Sequence, residues 1–305
     1  MAAAAAELPD SVLVRILALL PLRERLGAAS VCRRWQRLAQ DREVWRDVDG
    51  SAHPLSSRSL WLLLRRRFQP SLRTLRLRGR LRSALRQRLL SPALLAALAK
   101  RCPRLLGLYL TETDLRHLPS SSLPASLVAL ELSCCEIPAS WFCSALPNLR
   151  HLVIRRVPAF SDRHLLNVVS GSRLKSLSLS GTYRLTDVGI CRAAPRLEEL
   201  ETLRLIRCGV GDSAAGSIGL YMKRLRLLEL GEAHGLTEAG LKSLGSLRSL
   251  ETLDLHLPLS PGAVIAVCRA LPGLRSLQLR GLRFEDGITD QIRADFPFCS
   301  FSKAP

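Results

Sequence analysis

Leucine recurs along most of the chain in a fixed pattern of apolar and polar positions. From Leu72 onward the motif L-x-x-L-x-L appears nine times, and after the second copy the motif starts lie 22 to 26 residues apart. The alternation of apolar and polar residues within each motif predicts a short strand with one buried face. The motifs begin at Leu72, Leu105, Leu127, Leu149, Leu174, Leu200, Leu225, Leu250 and Leu274.

The segments between the motifs predict helices. Ser91-Pro92 and Ser260-Pro261 each place a capping serine before a proline at the first helical position. The equivalent segments begin at Asp162, Thr186-Asp187, Asp212 and Thr237-Glu238. A period of 20 to 29 residues with this motif is typical of leucine-rich repeats, whose stacked units share one core. The predicted fold class is therefore α/β, with a curved parallel sheet inside the solenoid and helices outside.

Residues 7–48 lack the repeat and predict a small all-helical domain. We expect Asp10 to cap a helix that ends before Pro21, a second helix over 22–29, and Ser30 to precede a third over 31–38. Fewer than 50 residues make a marginal core, and the many leucines indicate that the domain docks on another protein. The predicted domains are 7–48, the repeats at 49–282 and a C-terminal cap at 283–305.

The N-terminal residues resemble the F-box. The resemblance rests on Leu8-Pro9, Ile16-Leu17, Val31-Cys32-x-x-Trp35, Leu38 and Trp45. With the repeats that follow, almost the whole chain resembles the F-box/LRR family. In that family the chain after the last tryptophan forms a short strand ending in a buried leucine. Here Asp47-Val48-Asp49-Gly50 follows instead, and the first two motifs are 33 residues apart, which leaves the placement of the first repeat open.

The resemblance implies a non-catalytic subunit of a Skp–cullin–F-box ubiquitin ligase, without a cofactor. Family F-boxes bind the Skp adaptor, which binds cullin 1, and the cullin carries the RING-box subunit. The repeats hold an unidentified protein substrate for ubiquitination and proteasomal degradation. Some matching residues must form the interior of the domain, and Trp35 suits either role. The candidate adaptor-binding residues are Leu8, Pro9, Leu13, Leu17, Leu20, Val31, Cys32 and Trp35.

Positions three, five and seven of each motif should face the concave side of the solenoid, where a substrate would bind. The side chains expected there are mixed in charge and include few aromatics. That mixture favours a protein substrate over a nucleic acid, which would need a uniformly basic groove with stacking rings. The candidate substrate-binding residues are Arg76, Tyr109, Glu131, Arg155, Arg204, Glu229 and Asp254.

The formal net charge is +19, and only five of the 45 basic residues are lysines. Ten arginines and no acid lie between Arg65 and Arg88. This stretch is either a solvated surface or a docking patch for an acidic or phosphorylated segment, since arginine pairs with both groups. We expect charge reversal of Arg80, Arg82 and Arg86 to weaken substrate capture and to spare adaptor binding. The alternative function is a non-ligase repeat scaffold that binds acidic or nucleic-acid partners.

No catalytic or metal-binding motif is found among the cysteines and histidines. The nine cysteines form no C-x-x-C pair, and an odd number without a secretory signal favours reduced thiols in the cytosol or nucleus. Cys135 and Cys208 occupy the turn-closing ninth position of a repeat and are predicted to be structural. His151, His164 and His256 are predicted to be polar surface residues.

Three further segments, around Tyr183, at the C-terminus and between Leu89 and Ala99, each give a prediction. Tyr183 either lies on a loop edge, where repeat proteins often bind, or packs against Phe160. The phenylalanine-rich segment from Arg283 to Pro305 leaves the repeat period and should cap the solenoid. The longest uncharged apolar run, Leu89 to Ala99, is too short to span a membrane.

Overall fold

The computed structural model describes residues 8–81, 88–233, 235–256, 260–280, 294, 296–297 and 299–302. The chain forms two compact units, residues 1–136 and 137–305. The predicted α/β class is confirmed, because a short helical N-terminal region is followed by parallel strands that alternate with helices. Arg82 and Arg86 of the basic stretch, and most of the predicted C-terminal cap, lie outside the described residues.

The first unit begins with three short helices and continues into strand–helix repeats. The helices are α1 (Asp10–Leu19), α2 (Leu22–Ala28), α3 (Arg33–Leu38), α4 (Ser57–Arg66) and α5 (Pro92–Arg101). The strands are β1 (Asp47–Gly50), β2 (Thr74–Arg78), β3 (Gly107–Thr111) and β4 (Ala129–Ser133), and a 3₁₀ turn spans Ser120–Ser122. The strands pair in chain order, and each pair is parallel.

Strand β1 was not predicted, and it settles the junction that the sequence left open. Val48 is buried and pairs with Leu75, and Gly50 pairs with Leu77. Trp45, just before the strand, is 1% exposed and donates its Nε1–H to the carbonyl of Ala39 at 2.8 Å. The sheet therefore starts one strand before the first leucine motif, directly after the helical region.

The interior of the helical region includes two leucines of α1 and one arginine of α2. Leu13 and Leu17, one turn apart on α1, are each 1% exposed. The guanidinium of Arg25 on α2 is also buried and donates hydrogen bonds to four backbone carbonyls, those of Ala18, Leu20, Val44 and Asp47. Because these carbonyls belong to α1 and to the approach to β1, Arg25 joins both segments to α2.

The predicted helix starts in this region were partly wrong. Pro9, not Asp10, is the residue before α1, and the carboxylate of Asp10 instead pairs with two arginines of α3. The third helix begins after Cys32, whose Sγ accepts a hydrogen bond from the amide of Trp35 at 3.4 Å. Ser30 donates its hydroxyl to the carbonyl of Gly27. A short polar side chain near a helix start can thus bond elsewhere, which its position in the sequence does not reveal.

The second unit repeats one strand and one helix several times. Its strands are β5 (His151–Arg155), β6 (Ser176–Thr182), β7 (Thr202–Cys208), β8 (Leu227–Gly231), β9 (Thr252–His256), β10 (Ser276–Arg280) and β11 (Cys299–Ser302). Its helices are α6 (Asp162–Gly171), α7 (Asp187–Ala193), α8 (Asp212–Tyr221), α9 (Glu238–Ser243) and α10 (Pro261–Ala270). Short 3₁₀ turns follow α7 and α9. All strand pairs within the unit are parallel and follow chain order.

The same two features recur where the strand of each repeat ends, a left-handed backbone residue followed by a buried side chain. The eighth position of the repeat has a left-handed backbone at Glu112, Cys134, Arg156, Gly181, Arg207 and Glu232, with φ between 49° and 64°. The ninth position is buried at Thr113, Cys135, Val157, Thr182, Cys208 and Ala233. The ninth residue is therefore directed inward in each of these repeats, whatever side chain stands at the eighth position, and in β6 and β7 both positions still belong to the strand.

Aspartates at the helix starts connect successive repeats of the second unit. Asp162 accepts hydrogen bonds from both the amide and the hydroxyl of Thr186, at 2.7 and 2.6 Å. Asp212 binds the amide and hydroxyl of Thr237 in the same way, at 2.7 Å each. Asp187 accepts from the amides of Gly211 and Ala214. The predicted helix starts at these positions are confirmed, and each carboxylate also orients the beginning of the next helix.

In the second unit, His164 departs from its predicted surface position, whereas Tyr183 adopts one of its two predicted positions. His164 is 2% exposed rather than on the surface, because its Nδ1 accepts from the amide of Ser161 and its Nε2 lies 3.0 Å from the carbonyl of Pro138. Tyr183 is 76% exposed. Phe160 instead packs against Phe142 and His164, so the loop-edge alternative for Tyr183 is the one observed.

The C-terminal segment contributes a strand. Cys299–Ser302 forms β11, which pairs in parallel with β10 and so continues the sheet beyond the last leucine motif. None of the helices within the described residues is long and apolar enough to cross a membrane.

Candidate functional site

Helix α1 has two apolar faces, and only one of them is buried. Leu13 and Leu17 point into the helical region, whereas Val12, Ile16 and Leu19 are 39%, 39% and 85% exposed. The exposed residues are spaced by four and three positions, so they lie on one side of the helix. Neighbouring residues of a helix are roughly 100° apart around its axis, so the two groups form adjacent apolar faces, and a helix that is apolar so widely is usually covered on both. The outer side of α1 is therefore a candidate binding surface.

Ion pairs hold the start of α3 beside the start of α1. The carboxylate of Asp10 pairs with Arg34 and Arg37 at 2.7 Å each, and Arg34 also donates to the carbonyl of Leu8. The hydrogen bond from Arg34 is the main reason that the pKa of Asp10 lies below its usual value. The two sequence motifs, Leu8-Pro9 and Val31-Cys32, each adjoin the helix ends that these contacts bring together.

The predicted adaptor-binding residues fall into three groups. Leu13 and Leu17 form the interior; Leu8, Leu20 and Trp35 are half-buried; Pro9, Val31 and Cys32 are exposed. We define the outer apolar face as Leu8, Pro9, Val12, Ile16, Leu19, Val31 and Cys32. Sequence reasoning missed Val12, Ile16 and Leu19 as site residues, although their helical spacing could have indicated a second apolar side of α1.

In the first unit, the fifth positions of successive motifs stand side by side on the sheet. Arg76 is opposite Tyr109, which is opposite Glu131. The guanidinium of Arg76 lies 3.9 Å from the centre of the Tyr109 ring, a cation–π contact. Strand β1 adds Asp49 next to Arg76, which the sequence did not indicate. The predicted row of polar side chains on this side of the strands is therefore present.

In the second unit the corresponding row is largely paired with itself. Arg204 and Glu229 are opposite one another and form an ion pair at 3.0 Å. Asp254 is only 7% exposed and pairs with Arg280 at 2.6 Å, so Arg280 is the more accessible partner. Arg155 is exposed on β5. A partly exposed pair such as Arg204–Glu229 contributes little stability, about 0–1 kcal/mol, and mainly fixes the direction of both side chains.

The arginines between positions 65 and 88 do not form one uniform patch. Arg65 lies over the ring of Trp61, and Arg67 lies over that of Trp45. Arg78 pairs with Glu112 at 3.2 Å. Several of these arginines thus already contact other side chains of the first unit. Whether a remaining arginine can bind a partner depends on where its side chain lies, and not on how many arginines the stretch contains.

The buried cysteines are poor candidates for chemistry. Burial raises the pKa of Cys135 to about 12 and that of Cys102 to about 11. Burial also raises the pKa of Cys208, whose Sγ lies 3.1 Å from the Thr182 hydroxyl. A thiol must ionise to act as a nucleophile or metal ligand. Within the described ranges, no three His, Cys, Asp or Glu side chains are grouped to hold a metal ion.

A helical domain with an uncovered apolar face, joined to leucine-rich repeats, agrees with the similarity to known proteins. Residues 5–51 match the family described as F-box-like. The chain is 39% identical over 298 residues to F-box/LRR-repeat protein 12 of Homo sapiens, covering 94% of this chain and 91% of that protein. The Bos taurus protein of that name is 38% identical, with 96% and 94% covered. The chain belongs to the F-box/LRR-repeat protein family.

A solved structure shares the fold. A chain in the crystal structure of the Rad7 and Elc1 complex in yeast superposes with a TM-score of 0.60 at 20% identity. The match covers 83% of this chain and 67% of that chain. At this identity the similarity concerns the architecture alone.

Proposed function

We propose that this chain is the non-catalytic substrate receptor of a Skp–cullin–F-box ubiquitin ligase. The outer apolar face binds the Skp adaptor, and cullin 1 and the RING-box subunit join through that adaptor. The repeats bind a protein substrate in the cytosol or nucleus for ubiquitination. The observation that carries the proposal is the outward side of α1, where Val12, Ile16 and Leu19 remain exposed in a domain of the F-box family.

Burial of this face would supply a large part of the binding energy. Leu19 and Val31 are 85% and 65% exposed, and covering an aliphatic side chain of this size contributes about 1.5–3 kcal/mol. A charge at either position would have to be buried without a partner in the complex. Substitution there should therefore affect binding strongly, while the free domain keeps its interior of Leu13 and Leu17.

The test is calorimetric titration of the full chain with purified Skp adaptor. The Leu19→Glu/Val31→Glu variant should bind more than about 100-fold more weakly. Val188→Glu/Leu220→Glu is the matched control, because these residues are 63% and 60% exposed on helices of the second unit. The control should bind as the native chain does.

A second variant, Leu8→Ala/Pro9→Ala, tests the motif at the start of α1. It should also lose adaptor affinity while its circular dichroism spectrum stays native. No binding by a folded native chain would refute the receptor role and leave the scaffold alternative. Equal weakening by the control pair would show that added charge, and not the outer apolar face, is responsible.

The substrate surface is proposed to be the polar row on the strands of each unit: Arg76, Tyr109 and Glu131 in the first, and Arg155, Arg204, Glu229 and Asp254 in the second. Because Arg204 and Glu229 already pair, the substrate would recognise the charged pair in place. The swap Arg204→Glu/Glu229→Arg keeps an ion pair and the net charge but reverses the pattern. A substrate bound through this row should lose affinity for the swap variant, whereas adaptor affinity should stay unchanged.

A further inference from the structure

A cleft of about 820 Å³ lies in the first unit between α2, the loop after β1 and α4. Its lining includes Leu22 and Leu26 of α2, Leu55 of the loop, and Leu62 and Leu63 of α4. Pockets that bind ligands typically have about 300–1,000 Å³, so the cleft can hold several residues of an extended peptide. It shares no residue with the outer apolar face, and Asp49 at the end of the polar row is the one described residue that belongs to both the row and the cleft.

The floor of this α2–α4 cleft is aliphatic and partly uncovered. Leu22 and Leu63 are 7% and 6% exposed and also pack inward, whereas Leu26 and Leu62 are 39% and 46% exposed. Exposed leucines on two adjacent elements form one apolar surface at the base of a concave site. Such a surface favours a ligand with aliphatic side chains over a fully polar one.

The cleft is lined by arginines that form no ion pair with any acid among the described residues. Arg23, Arg66 and Arg80 line it together with Arg67, whose guanidinium is turned inward over Trp45. Among residues 8–81 and 88–136, ion pairs are made by Arg34, Arg37, Arg46, Arg78 and Arg116, and not by the first three.

The acids at the cleft do not neutralise these arginines. Glu24 and Asp49 are the carboxylates among the described residues that line the cleft. Asp49 accepts hydrogen bonds from the amide and hydroxyl of Ser51, at 2.8 and 2.5 Å, and so bonds within its own loop. The α2–α4 cleft therefore combines leucines with an excess of positive charge. In the polar row of the second unit, by contrast, arginines and acids are paired.

We propose that the α2–α4 cleft binds a short acidic segment of a partner protein. The aliphatic side chains of the bound segment pack on Leu26 and Leu62. The carboxylates of the segment face Arg23, Arg66 and Arg80. A nucleic acid is disfavoured because no Phe, Tyr or Trp is among the described residues lining the cleft, and single strands bind largely by base stacking on such rings. The proposal does not depend on the adaptor-binding function.

The experiment measures fluorescence anisotropy of a labelled peptide, Glu-Glu-Leu-Glu-Leu-Glu-Glu, with the full native chain at physiological ionic strength. We expect saturable binding that weakens more than about tenfold in Arg66→Glu/Arg80→Glu, because attraction becomes repulsion. Leu62→Ser should weaken it about fivefold through loss of apolar contact. The control Arg192→Glu/Arg248→Glu makes the same charge change at exposed sites of the second unit and should not affect binding.

Thermal unfolding of each variant checks that the fold is retained. Absence of saturable binding by the native chain would overturn the proposal, as would equal binding of a peptide with glutamine in place of glutamate. Tighter binding of a phosphoserine peptide would support an acidic protein segment as the occupant, whereas tighter binding of oligouridine than of either peptide would overturn the proposal. Displacement of the peptide by saturating Skp adaptor would make the cleft part of the adaptor surface and would equally overturn it.

Discussion

The buried guanidinium of Arg25 joins four backbone carbonyls of the helical region, so replacing Arg25 tests how much this side chain stabilises the region. Its guanidinium donates to the carbonyls of Val44 and Asp47 at 2.7 and 2.9 Å, and to those of Ala18 and Leu20 at 2.6 and 3.1 Å. The side chain is 4% exposed. Desolvation lowers its pKa, opposed by attraction to Asp47 and Asp49. Methionine would keep most of the apolar stem and remove every donor.

Two opposing effects set the size of the loss. Hydrogen bonds from a charged group contribute about 1.5–3 kcal/mol each, but burying a guanidinium costs several kcal/mol. The hydrogen bonds to the carbonyls of Ala18, Leu20 and Asp47 are part-buried, so in Arg25→Met we expect water to replace the guanidinium there. The carbonyl of Val44 takes part in a buried hydrogen bond, and leaving it without a donor costs about 1–3 kcal/mol. The expected net loss is about 2–4 kcal/mol.

Hydrogen exchange detected by mass spectrometry measures this loss locally. Amides between Asp10 and Gly50 should exchange roughly 30- to 1,000-fold faster in Arg25→Met, since 1.4 kcal/mol corresponds to a factor of ten. Arg23→Met is the matched control, because Arg23 is exposed on the same helix. Native protection in Arg25→Met, or equal loss in both variants, would refute a stabilising role for the buried guanidinium.

Two further predictions concern the second unit. Gly240→Ala should lower the free energy of unfolding by about 1–2 kcal/mol in urea titrations, because its Cβ would lie 2.2 Å from Asp212 Oδ1 and displace a carboxylate that makes two hydrogen bonds. Gly216→Ala, with open space around it, should instead be neutral or stabilising, and equal effects would contradict the contact. For His164, desolvation lowers the folded pKa below the unfolded value of about 6.5, so the unfolded state binds more protons between the two values. Stability should therefore fall as the pH falls below about 6.5, a slope that His164→Gln should flatten and His151→Gln should preserve.

Most of the fold could be predicted because one repeated pattern specifies it. Leucines at positions four and six of each motif are buried, and neighbouring motifs pair in the expected register. Strand β1 escaped prediction because Val48 is the only aliphatic side chain in a four-residue strand. Its position depends on pairing with β2, which is a tertiary contact and leaves no periodic signal.

The candidate site could be predicted only in part, since exposure depends on packing. Leu13 and Leu17 carry the same chemistry as Ile16 and Leu19, yet the fold turns one pair inward and the other outward. Likewise His164 is polar and was expected on the surface, but two hydrogen bonds allow its burial. The residues that line the α2–α4 cleft come from separate elements, so no local sequence motif predicts the cleft.

At the eighth repeat position the backbone conformation is independent of the side chain. Glutamate, cysteine, arginine and glycine all adopt it, although a residue with a Cβ bears a cost of about 1–2 kcal/mol there. The turn is thus imposed by the strand before it and the buried residue after it. In each unit the side chain at this position can change sign during evolution while the backbone path stays the same. Such positions allow a repeat protein to acquire a new target without first acquiring a new fold.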